Sequence, residues 1–183
     1  MTDANANGVR DPDEGPVAGV TFLSGTHESR TDAQGRALIP GLGDGARASL
    51  RVDSDSMPDI ALAPARPGIE IVPRPGRIHT SDFPIVTLSD IEGTAYFRAA
   101  TGTRAVSRLQ LRLLRRDGSL AARARSESDG FFLFERLPAG EYRLELDPQQ
   151  AAALKIRLEG PVTLTLGGKS SVLRQSITVK SAN

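Results

Sequence analysis

Apolar and polar residues alternate at the strand period of two along Glu141, Tyr142, Arg143, Leu144, Glu145 and Leu146, and the alternation recurs over residues 131–135 and 162–166. Each such run buries one face and wets the other, the mark of a half-buried β-strand. Ahead of them lies a predicted hairpin: a strand over residues 106–114, a turn at Arg115, Arg116, Asp117 and Gly118, and a return over residues 119–125. Asp-Gly is the turn signal. Residues 91–97 supply the first strand of this half, reached through residues 82–88, and residues 172–179 close it after a Gly167-Gly168 turn. One short helix interrupts the strands, because Asp147 suits an N-cap, Pro148 suits the first helical position, and Gln149 to Leu154 are good helix formers.

The first half carries the same pattern. Thr31, Asp32, Ala33, Gln34 and Gly35 align with Ser126, Glu127, Ser128, Asp129 and Gly130 at an offset of 95 residues, and Leu42 and Gly45 align with Leu137 and Gly140. Both copies predict a turn ending in Gly, a strand (residues 36–40 and 131–135), a Leu that plugs the core, a Gly turn and a second strand (residues 47–53 and 141–146). Two copies imply two similar β-domains, too few for a solenoid. Between them, Pro64, Pro67, Pro73 and Pro75 hold residues 62–76 extended and forbid helix, which reads as a semi-rigid connector or edge strand. The expected plan is a loop-bearing β-domain over residues 1–72, a connector or edge strand over residues 73–88, and a second β-domain over residues 89–183.

Composition agrees. Gly (18) and Pro (12) are abundant and aromatics make up only 4%, which suits short strands and tight turns, so the predicted class is all-β. No run approaches the roughly 18 apolar residues of a membrane-crossing helix, and no basic segment leads into an apolar stretch at the N-terminus, so the chain is not expected to span a membrane. The absence of Cys excludes disulfides, thiolate metal sites and a thiol nucleophile. A net charge of +1 conceals an asymmetry, with ten acids against five bases in residues 1–60 and 12 acids against 18 bases beyond.

The acidic start is patterned. Asp3, Asn5, Asn7, Asp11 and Glu14 fall at positions 1, 3, 5, 9 and 12 of a calcium loop, Gly8 stands at position 6 where such a loop bends, and the Val9 carbonyl supplies position 7. An all-oxygen cage of this kind suits a hard cation, so calcium is the expected cofactor. Gly15, Pro16, Gly19 and the β-branched residues after them disfavour a following helix, and the loop is expected to feed a strand. With only Met1 and Thr2 ahead of Asp3, the sequence reads as a piece of a longer protein whose loop is frayed at its N-terminal end.

Together, loop and repeat carry a resemblance. Residues 3–20, with the loop followed by Pro16, Gly19 and Val20, resemble the B-type domains of serine-aspartate repeat surface adhesins. Residues 126–146 resemble a carboxypeptidase-regulatory-like or collagen-adhesin B-type domain. The resemblance implies two tandem immunoglobulin-like or prealbumin-like β-sandwich domains, calcium held by Asp3, Asn5, Asn7, Asp11 and Glu14, and a structural or adhesive role. It also implies a bacterial envelope protein at the cell surface, outer-membrane associated or periplasmic, with neighbouring domains of that protein as partners. The internal Lys–Asn crosslink of some collagen-adhesin domains is not expected, since Lys155, Lys169 and Lys180 all lie outside a first strand.

Other chemistry is sparser. Asp53, Asp55 and Asp59 form a second acidic group that lacks the bend Gly and terminal Glu of a calcium loop. Arg104, Arg108, Arg112, Arg115, Arg116, Arg123 and Arg125 crowd the hairpin with only Asp117 among them, and the pattern places several on one face. An anionic glycan or a protein partner could be recognised there through Arg108, Arg112, Arg123 and Arg125, whereas a solvated strand face is the plainer alternative. Nucleic acid is not expected, because no aromatic stacking platform accompanies the charge. His27 and His79 lack a nucleophile motif or metal spacing, and no phosphate-cradling glycine loop occurs, so no enzyme is predicted.

Overall fold

The computed structural model describes residues 1–42 and 45–182 of the chain. It is an all-β protein of two compact units, Met1–Thr87 and Leu88–Asn183.

The first unit contains β1 (Thr2–Asp3), β2 (Thr21–Ser24), β3 (His27–Arg30), β4 (Ala48–Val52), β5 (Leu62–Pro64), β6 (Gly68–Ile71) and the first residues of β7 (Ile85–Ala99). One sheet runs β3-β2-β4-β6, antiparallel throughout. Residues 85–87 of β7 pair with β1 in parallel on one edge and with β5 antiparallel on the other. Val17, Val20, Phe22, Val52, Phe83 and Ile85 form the buried core, with Phe22 and Phe83 edge to face at 4.9 Å between ring centroids.

The strand expected over residues 36–40 is not formed. Its counterpart in the second unit pairs along β7, but in the first unit both edges of β7 at Ile85 are already taken, by Thr2 and by Pro64. Left without an edge, Leu38 is 70% exposed, and Ile39 packs only its flank on the core. The strands β5 and β6 come from the proline-rich stretch, with Pro67 at the bend between them.

The second unit continues β7 and adds β8 (Gly102–Ala105), β9 (Gln110–Arg115), β10 (Leu120–Arg125), β11 (Phe131–Pro138), β12 (Gly140–Leu146), α1 (Pro148–Leu154), β13 (Ile156–Leu158), β14 (Val162–Leu166), β15 (Val172–Arg174) and β16 (Ile177–Ser181). One sheet is β10-β9-β12-β14. The other is built on β7, which changes partners along its length: β11 and β15 flank residues 88–94, and β16 and β8 flank residues 95–99. The sandwich core joins Ile91, Leu111, Leu113, Phe132, Phe134, Tyr142, Leu144 and Val179. Residues 172–179, expected as one strand, break at Gln175 and Ser176, where the chain crosses over Gly93 so closely that a Cβ there would strike the Gln175 carbonyl. The helix starts as expected, with the Asp147 side chain accepting from the Gln149 and Gln150 amides and Lys155 closing it in the left-handed conformation.

The turn that opens the repeat recurs in both units with the same hydrogen bonds, although the strand that follows it forms only in the second. Thr31 Oγ1 accepts from Val20 N (2.9 Å) and donates to Val17 O (2.8 Å), and Ser126 Oγ accepts from Leu109 N (2.9 Å) and donates to Val106 O (2.6 Å). Gly35 N bonds Asp32 O, and Gly130 N bonds Glu127 O, with φ of 70° and 84° at the two glycines. One buried hydroxyl thus ties two chain segments together in each unit, and this knot holds residues 106–109 out of β9, which begins at Gln110 rather than at Val106.

Candidate functional site

Asp3 ends β1 and is 1% exposed. Its Oδ1 accepts from Asn7 N (3.0 Å) and its Oδ2 from Gly8 N (2.8 Å), folding the loop back over it. Glu14 is 5% exposed and receives Ala4 N (2.8 Å) and Asp11 N (3.0 Å) on its two oxygens. Ala6 and Gly8 take positive φ of 56° and 76°, the bend that Gly8 predicts. Asn5 Oδ1 and Asn7 Oδ1 each accept a backbone N–H two residues on, while their amide nitrogens both donate to Asp11 Oδ2 (2.7 and 3.2 Å). Val9 is exposed.

The loop is closed at its base, contrary to the frayed end expected from sequence. Thr2 N donates to Gly15 O (2.9 Å), Gly15 N donates to Thr2 Oγ1 (3.0 Å), and β1 is fixed by its pairing to β7. The donor set is oxygen only: three carboxylates, two amides and one carbonyl, which fits a hard cation. Neither Asp3 nor Glu14 has an ion-pair partner among the described residues. Among the described residues no group of three or more His, Asp or Glu side chains is placed to hold a metal ion.

The second acidic group serves the backbone. Asp53 Oδ1 accepts from Asp55 N and caps a 3₁₀ turn over Ser54–Ser56, and Asp59 Oδ1 accepts from Ala61 N.

The hairpin separates its arginines. Arg104 lies over the Phe97 ring, Arg115 donates to Leu120 O and Ser119 Oγ, and Arg116 pairs with Glu141. In the turn, hydrogen bonds from the Ser119 side chain and backbone hold the Asp117 carboxyl below the usual carboxylate range. Within the core under the hairpin, burial raises the Tyr142 phenol. Arg108 sits on the turn before β9 at φ 60°. Arg112 and Arg123 face each other across β9 and β10, and Arg125 faces Gln110 one pleat along. With Asp147, these residues line a shallow groove of about 280 Å³, which Arg108 does not reach. The sequence marks Asp147 only as a helix cap and does not mark Gln110 as a site residue; the signal is present, since Gln110 alternates with the core residues Leu111 and Leu113 and so shares a face with Arg112.

Compared with known protein families and with curated proteins, the chain matches none. Among solved structures it is similar to the minor pilin of Streptococcus agalactiae, at 12% identity and a TM-score of 0.44 over 96% of this chain and 88% of the pilin. The TIE protein of Bacillus anthracis is similar at 14% identity and a TM-score of 0.43, over 93% of this chain and 32% of that protein. The shaft pilin SpaA of Lactobacillus rhamnosus GG is similar at 10% identity and a TM-score of 0.40, over 92% and 90%. These are distant likenesses of β-architecture, and the fold assignment rests on the chain's own strands and cores. Among the described residues no helix is long and apolar enough to cross a membrane.

Proposed function

We propose that this chain is a non-catalytic structural or adhesive module of a larger extracytoplasmic bacterial envelope protein, with calcium at residues 3–14 rigidifying its first unit. The reading is carried by Asp3 and Glu14, two carboxylates almost wholly buried at the two ends of an all-oxygen loop, with no cationic side chain paired to either among the described residues. Each carboxylate accepts two backbone N–H groups, and a divalent cation would balance the buried negative charge that those bonds leave. Support for a structural role comes from how the other acids are used: Asp32, Asp53, Asp59, Asp117, Asp129 and Asp147 all accept backbone N–H groups at turns or caps. Neighbouring domains of the parent protein are the partners this role requires.

The test is a thermal melt followed by far-UV circular dichroism, in EDTA and in millimolar calcium. An Asp3→Ala/Glu14→Ala double variant and an Asp11→Ala variant run alongside, the second leaving both buried carboxylates in place. Calcium raises the melting temperature of the native chain, and less or not at all that of the variants. An equal melting temperature in both buffers, with no calcium heat by titration calorimetry, refutes the calcium reading.

A further inference from the structure

The outer face of the sheet β10-β9-β12-β14 carries an unusual row. Arg123 on β10 and Arg112 on β9 are direct cross-strand partners, and both point away from the core because Leu111, Leu113 and Ala124 point into it or pack against it. Neighbouring strands lie about 4.8 Å apart, so two like charges stand side by side, an arrangement that destabilises a sheet. The acid that could relieve it is engaged elsewhere: Glu145 is Arg112's partner on β12, yet it pairs with Arg143 at 2.8 Å. Arg112, Arg123 and Arg125 have no ion pair among the described residues, and the Arg112 Nε–H is buried without an acceptor. Among the described residues no ion pair or acceptor engages the Arg112 guanidinium, which leaves its hydrogen-bonding capacity for an acceptor supplied from outside.

One pleat along, the row reads Arg125, Gln110, Asp147. The Gln110 side chain offers both donor and acceptor, and Asp147 offers its Oδ2 beside the Oδ1 that caps α1. The groove therefore sets a cationic end, able to grip a planar oxyanion in bidentate fashion, beside a neutral and acidic end that suits hydroxyl groups. A phosphate-dense chain would be repelled by Asp147, and among the described residues no aromatic side chain lines the groove to stack a base. We propose that this groove binds an acidic sugar, a uronate unit of a polysaccharide, with its carboxylate on Arg112 and Arg123 and its hydroxyls on Gln110 and Asp147. The site goes beyond the structural role above and does not depend on calcium.

The experiment is an NMR titration of the ¹⁵N-labelled chain with tri-galacturonate, with maltotriose, inorganic polyphosphate and a sulfated oligosaccharide as comparison ligands. Tri-galacturonate gives saturable shifts at the Arg112 and Arg123 Nε–Hε signals and at the amides of residues 110–112 and 123–125, and maltotriose gives none. Arg123→Gln weakens the affinity about tenfold or more, the value of one charge-assisted hydrogen bond, and Arg123→Lys weakens it less. Arg36→Gln, a charge-matched change in the first unit, leaves it unaltered. Unchanged amide shifts elsewhere in the second unit show that the variants are folded. The proposal is overturned if tri-galacturonate causes no shift at millimolar concentration or binds Arg123→Gln as well as the native chain. Equal or tighter binding of polyphosphate or the sulfated ligand also overturns it, leaving a patch of unselective positive charge.

Discussion

Replacing Ser126 by Ala deletes one oxygen and leaves two backbone groups without a partner. Ser126 is 3% exposed, and its hydroxyl is the acceptor for Leu109 N and the donor to Val106 O. Leu109 is 1% exposed, so water cannot replace the lost acceptor. A buried N–H left unsatisfied costs about 1–3 kcal/mol, and the Val106 carbonyl, in a half-buried residue, adds less. The expected loss is about 2 kcal/mol, which in a unit of this size lowers the melting temperature by on the order of 10 °C. The chain has no Trp and two tyrosines, Tyr96 and Tyr142, both in the second unit, so tyrosine fluorescence during urea unfolding reports on that unit. Ser126→Thr keeps the hydroxyl and follows the residue found at the matching position of the first unit, so most of the stability should return. Thr31→Val, which deletes the matching hydroxyl while keeping the shape, should cost the first unit a similar amount, read by hydrogen exchange at the Val20 amide. A loss below about 0.5 kcal/mol for Ser126→Ala would show that the repeat is held by its turn and strands, and that the hydroxyl is incidental.

Arg108 occupies the place that Gly19 fills in the first copy: each donates its N–H to the carbonyl of the knot residue, at φ 60° and 81° respectively. A left-handed conformation is strained for Arg and free for Gly, so Arg108→Gly should stabilise the second unit by about 0.5–1 kcal/mol in urea denaturation, after the greater flexibility of an unfolded Gly is counted. Arg123→Glu replaces a like-charge neighbour of Arg112 with an opposite one; it should raise stability by about 0.5 kcal/mol, an increment that shrinks in high salt, while abolishing tri-galacturonate binding.

What could be read in the sequence follows from where the determinants lie. The turn at residues 3–14 is local: Gly8 takes the bend that its position predicts, and the backbone folds over the Asp3 and Glu14 carboxylates around it. The knot at Thr31 and Ser126 was legible as a repeat, although its hydrogen bonds join segments 11 to 20 residues apart that no periodicity connects. Residues 36–40 misled because alternation says that a strand fits a sheet, not that a sheet has an edge to spare. Arg112, Arg123 and Arg125 stand out from the hairpin pattern, but their groove's polar end does not, for the same reason: Asp147 reads as a helix cap from its neighbours, and only the pairing of β12 with β9 brings it next to Gln110.

The two units differ in how much they can tolerate. Among the described residues fifteen buried ones form the core cluster of the second unit and six that of the first, so the second can carry a like-charge row on its surface while the first has less apolar burial to offset Asp3 and Glu14. A cation bound at 100 times its dissociation constant contributes about 2.7 kcal/mol, a large share of the stability of a small unit. That contribution should be confined to the unit holding the loop. Removing calcium should therefore speed hydrogen exchange at Phe22, Leu23 and Val52, whose strands enclose the smaller core, and leave the tyrosine-monitored unfolding midpoint where it was. A tyrosine midpoint that moved with calcium would mean that strand β7, which begins among the partners of β1 and ends among those of β8, transmits the loop's state into the second unit. The ion would then act on the whole chain and not as a local clamp.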